Sequence, residues 1–305
     1  MTQLDLRPLS LGELFDRAFV LYRRHFWLFV GLTAVPGVFA LVLTLAQQGL
    51  QWAGTPAPNG TGAAVEAPRL LAAVGFFAAI VVSGITYWVV YMIAFGATTF
   101  AVSEIYVGRA VTITQVFGRM RGRIGVLIVL LLLIGIRLGA IAFAGLFVTG
   151  LSIGIGASGS PVLGGLLALL FGTAAIAILI FLSLRYGVAV PALVIEGLSP
   201  TAAIRRSIEL TDGRLGRVLL LVICATLITY AAVVLFQGPF IAGALMAGLE
   251  TTPGFWLNIL GAVTGTIGTT LTTPFLIIGL ALIYYDARIR EEGFDLELSL
   301  AALDR

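Results

Sequence analysis

The sequence contains little charge and few of the residues that build metal or redox sites. Charged residues make up 11% of its 305 residues, lysine is absent, and His25 and Cys224 are its only histidine and cysteine. A single cysteine forms neither an intramolecular disulfide nor a cysteine metal cluster. The sequence also lacks a nucleotide-binding loop and a nucleophile–base constellation. We therefore expect no cofactor, no metal ligands and no catalytic residues, and hence no enzyme.

Apolar residues dominate the rest of the chain. The hydrophobic fraction is 59% and the mean hydropathy is +1.08, whereas soluble domains are about half apolar and a quarter charged. The net charge of +3 comes from arginines clustered beside apolar runs, a pattern typical of orientation in a bilayer. We predict an integral membrane protein and exclude nucleic acid as a partner.

Six apolar stretches exceed or approach the roughly 20 helical residues that cross a hydrocarbon core. They are 26–46, 70–102, 124–153, 162–195, 218–235 and 255–285. The segments that precede the first, third and fifth stretches hold four arginines each, whereas the alternate segments hold one, none and none. Because short cytoplasmic loops carry the positive excess, both termini are predicted to be cytoplasmic.

Two segments outside these stretches differ in composition. Residues 47–69 are rich in glycine, alanine and proline, which predicts an extracytoplasmic loop. Residues 237–254 are apolar but short, which leaves two alternatives: a helix on the outer interface or a re-entrant cap.

A short amphipathic segment occurs three times before an apolar hairpin. Ser10 with Glu13 and Thr112 with Gln115 form capping-box patterns, and Ser199 precedes a proline. Each segment carries arginine seven positions after its hydroxyl residue, and the third carries a second arginine beside it; these residues are Arg17, Arg119, Arg205 and Arg206. The alternative is a set of plain cytoplasmic loops whose arginines only set topology.

The recurrence predicts an all-α fold with six transmembrane helices in three hairpin repeats, each preceded by a cytoplasmic interfacial helix. One membrane domain then fills residues 1–305, with units of about 10–108, 109–197 and 198–290 and a cytoplasmic tail at 291–305. Tyr284 and Tyr285 mark the last interface, and the mixed charges that follow predict a solvated tail that could dock on the interfacial helices. The tail motif comprises Tyr285, Asp286, Arg288, Arg290 and Glu292.

Arg137 and Arg185 are the basic residues inside the predicted spans. A charge at the bilayer centre costs about 3 kcal/mol by insertion scales. Counting along continuous helices places the two residues roughly 20 and 15 Å from the cytoplasmic ends, so they could share one depth. One hypothesis is an anion site for a phosphate or lipid headgroup. The alternative is that Arg185 reaches the inner headgroups, Glu196 or Glu104, while Arg137 bonds to carbonyls in the bundle.

Three stretches of the chain resemble a known family. RPLSLGELFDRAFVLYRRHFW (7–27), EGLSPTAAIRRSIELTDGRLGRV (196–218) and YYDARIREEGFDLEL (284–298) are similar to the membrane domain of glycerophosphoryl diester phosphodiesterase. The resemblance implies a bacterial six-helix membrane domain, which precedes a catalytic domain in some members and stands alone in many. The family has no settled activity. We expect a stand-alone domain here, because the chain lacks the histidines and carboxylate metal site of such phosphodiesterases.

The leading functional hypothesis is a non-enzymatic protein of the bacterial inner membrane. It binds lipid or an anionic amphiphile and moves it or presents it to other membrane proteins or to a separate enzyme. The alternatives are a secondary transporter or exporter with the intramembrane arginines in its path, and a membrane scaffold for partner proteins.

Overall fold

The computed structural model describes residues 9–54, 66–106, 108–249 and 251–292. Within these ranges the regular structure is helical, which confirms the predicted all-α class. A short 3-10 turn, Arg121–Arg123, joins two of the ten α-helices. The α-helices are α1 (Leu11–Arg24), α2 (Phe26–Gly54), α3 (Glu66–Tyr106), α4 (Ile113–Met120), α5 (Ile124–Ser158), α6 (Pro161–Arg185), α7 (Ala189–Glu196), α8 (Pro200–Thr211), α9 (Leu215–Ala247) and α10 (Thr252–Glu292).

Six helical stretches in the described residues have the length and composition to cross a membrane. They are Phe26–Gly49, Val81–Tyr106, Ile113–Ala157, Pro161–Glu196, Leu215–Ala247 and Thr252–Glu291. Each overlaps one predicted stretch, so the predicted number of spans is confirmed. Of the predicted loop 47–69, residues 55–65 lie outside the described residues, and both flanks are helical.

The fourth span is broken near one end. Residues 186–188 form a turn that separates α6 from α7. In an unbroken helix the Arg185 carbonyl would accept from Ala189, but Ala189 N–H bonds to Tyr186 instead. The hydroxyl of Ser207 on α8 donates to the Arg185 carbonyl at 2.6 Å. The predicted stretch 162–195 is therefore one span that breaks at residues 186–188, and α8 supplies a partner for the freed backbone group.

The fifth span is longer than predicted. Residues 237–247 continue α9 through Pro239, so both alternatives for 237–254, an interfacial helix and a re-entrant cap, are wrong. This half of α9 packs on the glycine-rich face of α10: a Cβ placed on Gly265 would lie 2.6 Å from Gln237 Oε1, and one on Gly261 would lie 3.3 Å from Phe240 Cβ. Close helix contact of this kind supports a proline within a membrane helix.

The three hydroxyl caps predicted from the sequence are confirmed. Ser10 accepts from Glu13 N–H, Thr112 accepts from Gln115 N–H, and both capping boxes are complete. Ser199 accepts from Ala202 N–H at the start of α8. Each cap satisfies a backbone donor that the helix itself leaves unpaired.

Helices α1, α4 and α8 lie at the end of the bundle where α2, α5 and α9 begin, here called the arginine-rich end. The buried core lies at this end, with Leu14 and Ala18 of α1, Met120 of α4 and Ile204 of α8 packed into it. At the centre is α10, whose residues 277–287 are all buried and which contacts α1, α2, α3, α7, α8 and α9.

Pro274 of α10 leaves a backbone carbonyl without its usual partner, and another helix donates a hydrogen bond to it. Pro274 has no N–H for the Thr270 carbonyl, and the Thr33 hydroxyl of α2 donates to that carbonyl at 3.1 Å. The Tyr22 hydroxyl of α1 donates to the neighbouring Leu271 carbonyl at 2.7 Å. These bonds fix α1 and α2 to the middle of α10.

The hairpin formed by α5 and α6 packs far less on the rest of the bundle than α10 does. In the span of α10, 56% of the most apolar stretch is buried. The corresponding share is 11% in the span of α5 and 0% in the span formed by α6 and α7. Contacts between α3 and α5 occur at Gly96, where a Cβ would lie 2.9 Å from Leu127, and at Gly135, where a Cβ would lie 3.9 Å from Trp88. The outer parts of α5 and α6 pack mainly on each other.

Candidate functional site

Arg185 lies at the broken end of α6 and contacts α8. Its guanidinium donates to Asp212 at 2.9 Å and lies 5.1 Å from the centre of the Phe181 ring. The partner is thus Asp212 rather than Glu196 or Glu104. The expected depth of Arg185 assumed a continuous helix, and the break after α6 brings this residue to the helix layer of the arginine-rich end instead.

Arg137 lies in the middle of α5 and is exposed. Within the described part of the chain, its guanidinium has neither a carboxylate nor a carbonyl partner. Leu130 lies seven residues earlier, on the same side of α5, and is 1% exposed in the core. Arg137 therefore lies on the same side of α5 as Leu130, two turns beyond the packed core, and is itself exposed.

Arginines at the seventh position of the short helices each contact the end of a hairpin helix. Arg17 hydrogen-bonds the Tyr106 hydroxyl at the end of α3. Arg119 pairs with Glu104 of α3 at 3.3 Å, and Arg206 pairs with Glu196 of α7 at 3.1 Å. The exposed Arg205 pairs with Glu209 in its own helix at 3.8 Å.

A cavity of about 420 Å³ opens between the end of α3 and α4. Arg109 and Arg119 lie 3.4 and 3.3 Å from Glu104 and have side chains 60% and 62% exposed, while that of Glu104 is 13% exposed. Arg119 also lies 5.7 Å from the centre of the Phe100 ring. The cavity is lined by Phe100, Glu104, Arg109, Ala110, Val111, Gln115 and Arg119.

Glu196 occupies a position like that of Glu104 but is enclosed by its partners. Arg206, Arg288 and Glu196 have side chains 21%, 16% and 18% exposed. The Tyr284 hydroxyl of α10 also donates to Glu196. The residues around Glu196 thus complete a packed cluster, whereas those around Glu104 line an open cavity.

Asp286 joins the first described residue to α9 and α10. Its side chain is 3% exposed and accepts from Leu9 N–H at 2.7 Å, from Arg217 and from Arg290 at 3.0 Å. Arg217 and Arg290 also donate to the Leu9 carbonyl. The network thus consists of one buried carboxylate and two partly exposed arginines.

The tail motif is therefore not a solvated tail. Tyr285 and Asp286 are buried inside α10, and Tyr285 stacks on Tyr106 with ring centres 4.6 Å apart. The helix continues to Glu292, whose side chain, like residues 293–305, lies outside the described residues. The chain stays helical through this motif because Tyr285 packs on Tyr106 and Asp286 bonds Leu9.

The threonines of the last span are bonded within α10. Thr264, Thr266, Thr269, Thr272 and Thr273 donate to carbonyls three or four residues earlier. The neighbouring glycines contact α9, as described above. This arrangement supports close helix packing over a hydrated path.

His25 lies between α1 and α2 among exposed arginines. Burial, and secondarily the charge of Arg24, lower the pKa of His25 below its ordinary value. The imidazole is therefore neutral at neutral pH and adds no positive charge to the arginine-rich end.

Comparison with family models places part of the chain in a known class. Residues 165–296 match the membrane domain of glycerophosphoryl diester phosphodiesterase. This confirms the resemblance. The match spans α6 to α10 and includes the stretch at 196–218 and most of that at 284–298, while the stretch at 7–27 lies outside it. A membrane domain and six spanning helices fit an integral, multi-pass membrane protein. Searches of curated proteins and of solved structures found no match.

Sequence reasoning found the arginines but not the cavity around Glu104. It placed Arg119 in an amphipathic segment and named Glu104 as a possible partner of Arg185. One signal was available: the cap Thr112 follows Glu104 by eight positions, whereas the cap Ser199 follows Glu196 by three. Arg109, Ala110 and Val111 of this longer connection line the cavity.

Proposed function

We propose that this protein is a non-enzymatic membrane module that binds a lipid or another anionic amphiphile. It moves this ligand within the bilayer or presents it to a partner protein, and Arg137 contacts the anionic group. The match to a membrane domain rather than to a catalytic domain supports a role without chemistry.

The low burial of the α5–α6 hairpin is the main observation behind this proposal. A lipid-binding module needs a lateral opening through which an amphiphile enters from the bilayer. The most apolar stretches of the spans that contain α5 and α6 are 11% and 0% buried, whereas that of the span of α10 is 56% buried. An amphiphile can approach α5 from the membrane along these exposed stretches.

The position of Arg137 supports an anion as the ligand. A guanidinium in the middle of a span costs about 3 kcal/mol unless it is paired, and the described helices offer it no carboxylate. A phosphate accepts two parallel N–H bonds from one guanidinium. A bound anionic headgroup would offset the cost of keeping Arg137 in the membrane.

The proposal includes the threefold arrangement and the orientation. Three units, 10–108, 109–197 and 198–290, each place a capped interfacial helix before a hairpin. The similar pairs Arg119–Glu104 and Arg206–Glu196 support this repeat. The arginine bias supports a cytoplasmic location for the arginine-rich end and both termini, and the family resemblance supports the bacterial inner membrane.

The two alternatives receive less support. A transporter path with both intramembrane arginines needs Arg185 to be available, but Arg185 pairs with Asp212, and the threonines of α10 bond within their own helix. A membrane scaffold needs no charged group in its spans, so the scaffold hypothesis does not explain why Arg137 lies in the span of α5.

The Arg137→Gln substitution tests the proposed anion contact. We expect binding of phosphatidylglycerol by the purified full chain in nanodiscs, measured by native mass spectrometry, to weaken about tenfold, which equals about 1.4 kcal/mol and is near the lower range for charged hydrogen bonds. Phosphatidylcholine, which has no net charge, measures background binding.

Two controls accompany this variant. Arg137→Lys keeps the charge and should retain most of the binding. Arg185→Gln removes the arginine at the broken end of α6, which pairs with Asp212, and should leave binding unchanged. If folded Arg137→Gln protein binds phosphatidylglycerol as well as the wild type does, Arg137 is not the anion contact.

A further inference from the structure

We propose that the cavity beside Glu104 is a second, interfacial site for a singly charged phosphate diester. Its lining residues come from the end of α3, the connection to α4, and α4 itself. The site does not depend on Arg137, which lies on α5 roughly 20 Å from the start of that helix.

The charged side chains that line the cavity do not balance one another. Arg109 and Arg119 share a single carboxylate, Glu104, so the three side chains sum to one positive charge. Both ion pairs are long, at 3.4 and 3.3 Å, and each guanidinium has five N–H donors. Most of these donors are available to a ligand oxygen. A singly charged phosphate diester supplies one charge and two acceptor oxygens.

Comparison with the Glu196 cluster explains why this site is open. At Glu196, Arg288 and the Tyr284 hydroxyl of α10 fill the space beside the carboxylate. At Glu104, the described side chains line a cavity of about 420 Å³ beside the carboxylate. The arginines at Glu196 are about four-fifths buried, whereas those at Glu104 are mostly exposed.

The walls of the cavity favour a diester that belongs to a lipid. Phe100 lies one turn deeper in the span than Glu104, and Ala110 and Val111 add apolar surface on the other side. Glu104 lies two residues before the end of the span Val81–Tyr106, at the level where headgroups meet hydrocarbon. A lipid can therefore place its phosphate at the arginines while its glycerol and first acyl carbons contact Phe100.

The test compares two charge-matched double variants of the full chain in nanodiscs. Arg109→Gln with Arg119→Gln removes the cavity arginines, whereas Arg121→Gln with Arg205→Gln removes two exposed arginines of the same end. We expect the first pair to weaken the affinity for one of two bound phosphatidylglycerol molecules about tenfold while the molecule at Arg137 is retained, and the second pair to change either affinity less than twofold. Equal losses in both would overturn the site, because they would indicate general attraction to the charged surface.

A substitution with the opposite expected sign separates binding from folding. Glu104→Gln removes the carboxylate that competes for the arginines, so phosphatidylglycerol should bind severalfold more tightly. Weaker binding by folded Glu104→Gln protein would contradict the site. If that variant does not fold, Arg109→Gln alone, in an exposed connection, gives the decision: unchanged binding contradicts the proposal.

The source of the diester is assigned by competition. The water-soluble headgroup of phosphatidylglycerol, without acyl chains, is added to the wild-type protein. Weak competition assigns the site to a membrane lipid, as the apolar walls predict. If the headgroup competes at the same concentrations as the intact lipid, the diester site is supported and its ligand is a soluble diester. Loss of binding in Arg137→Gln protein but not in the Arg109/Arg119 variant supports the proposed function and overturns this second site.

Discussion

Replacing Asp286 by asparagine should destabilise the fold by about 3 kcal/mol, because it removes a buried carboxylate that pairs with two arginines. Asp286 is 3% exposed and receives Leu9 N–H, Arg217 and Arg290. Asparagine keeps the shape of the side chain and can still accept from Leu9, so the loss reports on the charge. Thermal unfolding, followed by a thiol-reactive dye at Cys224, measures the effect.

The control for Asp286→Asn is Glu209→Gln. Glu209 is 55% exposed and lies 3.8 Å from Arg205, and exposed pairs of this kind contribute about 0–1 kcal/mol. An added Arg217→Gln change should cost less in the Asp286→Asn background than in the wild type, since the two residues share one interaction. Wild-type stability of the Asp286→Asn protein would show that this network does not hold the arginine-rich end together.

Replacing Gly164 by leucine should cost a few kcal/mol by forcing α5 and α6 apart, in line with the penalty for overpacking. A Cβ on Gly164 would lie 2.3 Å from the Cα of Gly156 and 2.8 Å from the Ser152 carbonyl. Both are backbone atoms, which cannot move aside as a side chain can. The same dye measurement applies.

The adjacent glycine offers a matched control for Gly164→Leu. A Cβ on Gly165 would meet nothing within 4 Å, so Gly165→Leu adds the same apolar side chain at almost the same depth without a clash. We expect Gly165→Leu to unfold like the wild type. Equal stability of the two variants would contradict the close contact between α5 and α6.

The sequence predicted most of the architecture because strong one-dimensional signals encode it. Six long apolar runs correspond to six spans, and the hydroxyl caps at Ser10, Thr112 and Ser199 mark the starts of α1, α4 and α8. Both kinds of signal depend on neighbouring residues alone. The matched family region, residues 165–296, was visible in the same way from short motifs.

Features that depend on tertiary partners were missed. The break after Arg185 is stabilised by Ser207 of another helix, and the continuation of α9 past Pro239 depends on the glycine face of α10. The burial of Asp286 depends on Leu9, 277 residues away. Local composition indicated a solvated tail there, because it carries no information about such distant contacts.

The cavity at Glu104 could be predicted only in part. Its residues are adjacent in sequence, but whether they form an open site or a packed cluster depends on α10, which fills the corresponding space at Glu196. The availability of Arg137 depends likewise on the low burial of α5. The sequence identifies these arginines but does not show which of them is available to a ligand.

Site-directed labelling with a membrane-impermeant maleimide tests most directly the claim that all three arginine-rich segments face the cell interior. Single cysteines replace the exposed residues Asp16, Thr114 and Thr201, on α1, α4 and α8, and Gly159 at the tip of the α5–α6 hairpin, in a Cys224→Ala background. We predict that intact cells label only the cysteine at position 159, and that the other three react after permeabilisation. Labelling of any of those three in intact cells would contradict the shared orientation and the repeat built on it.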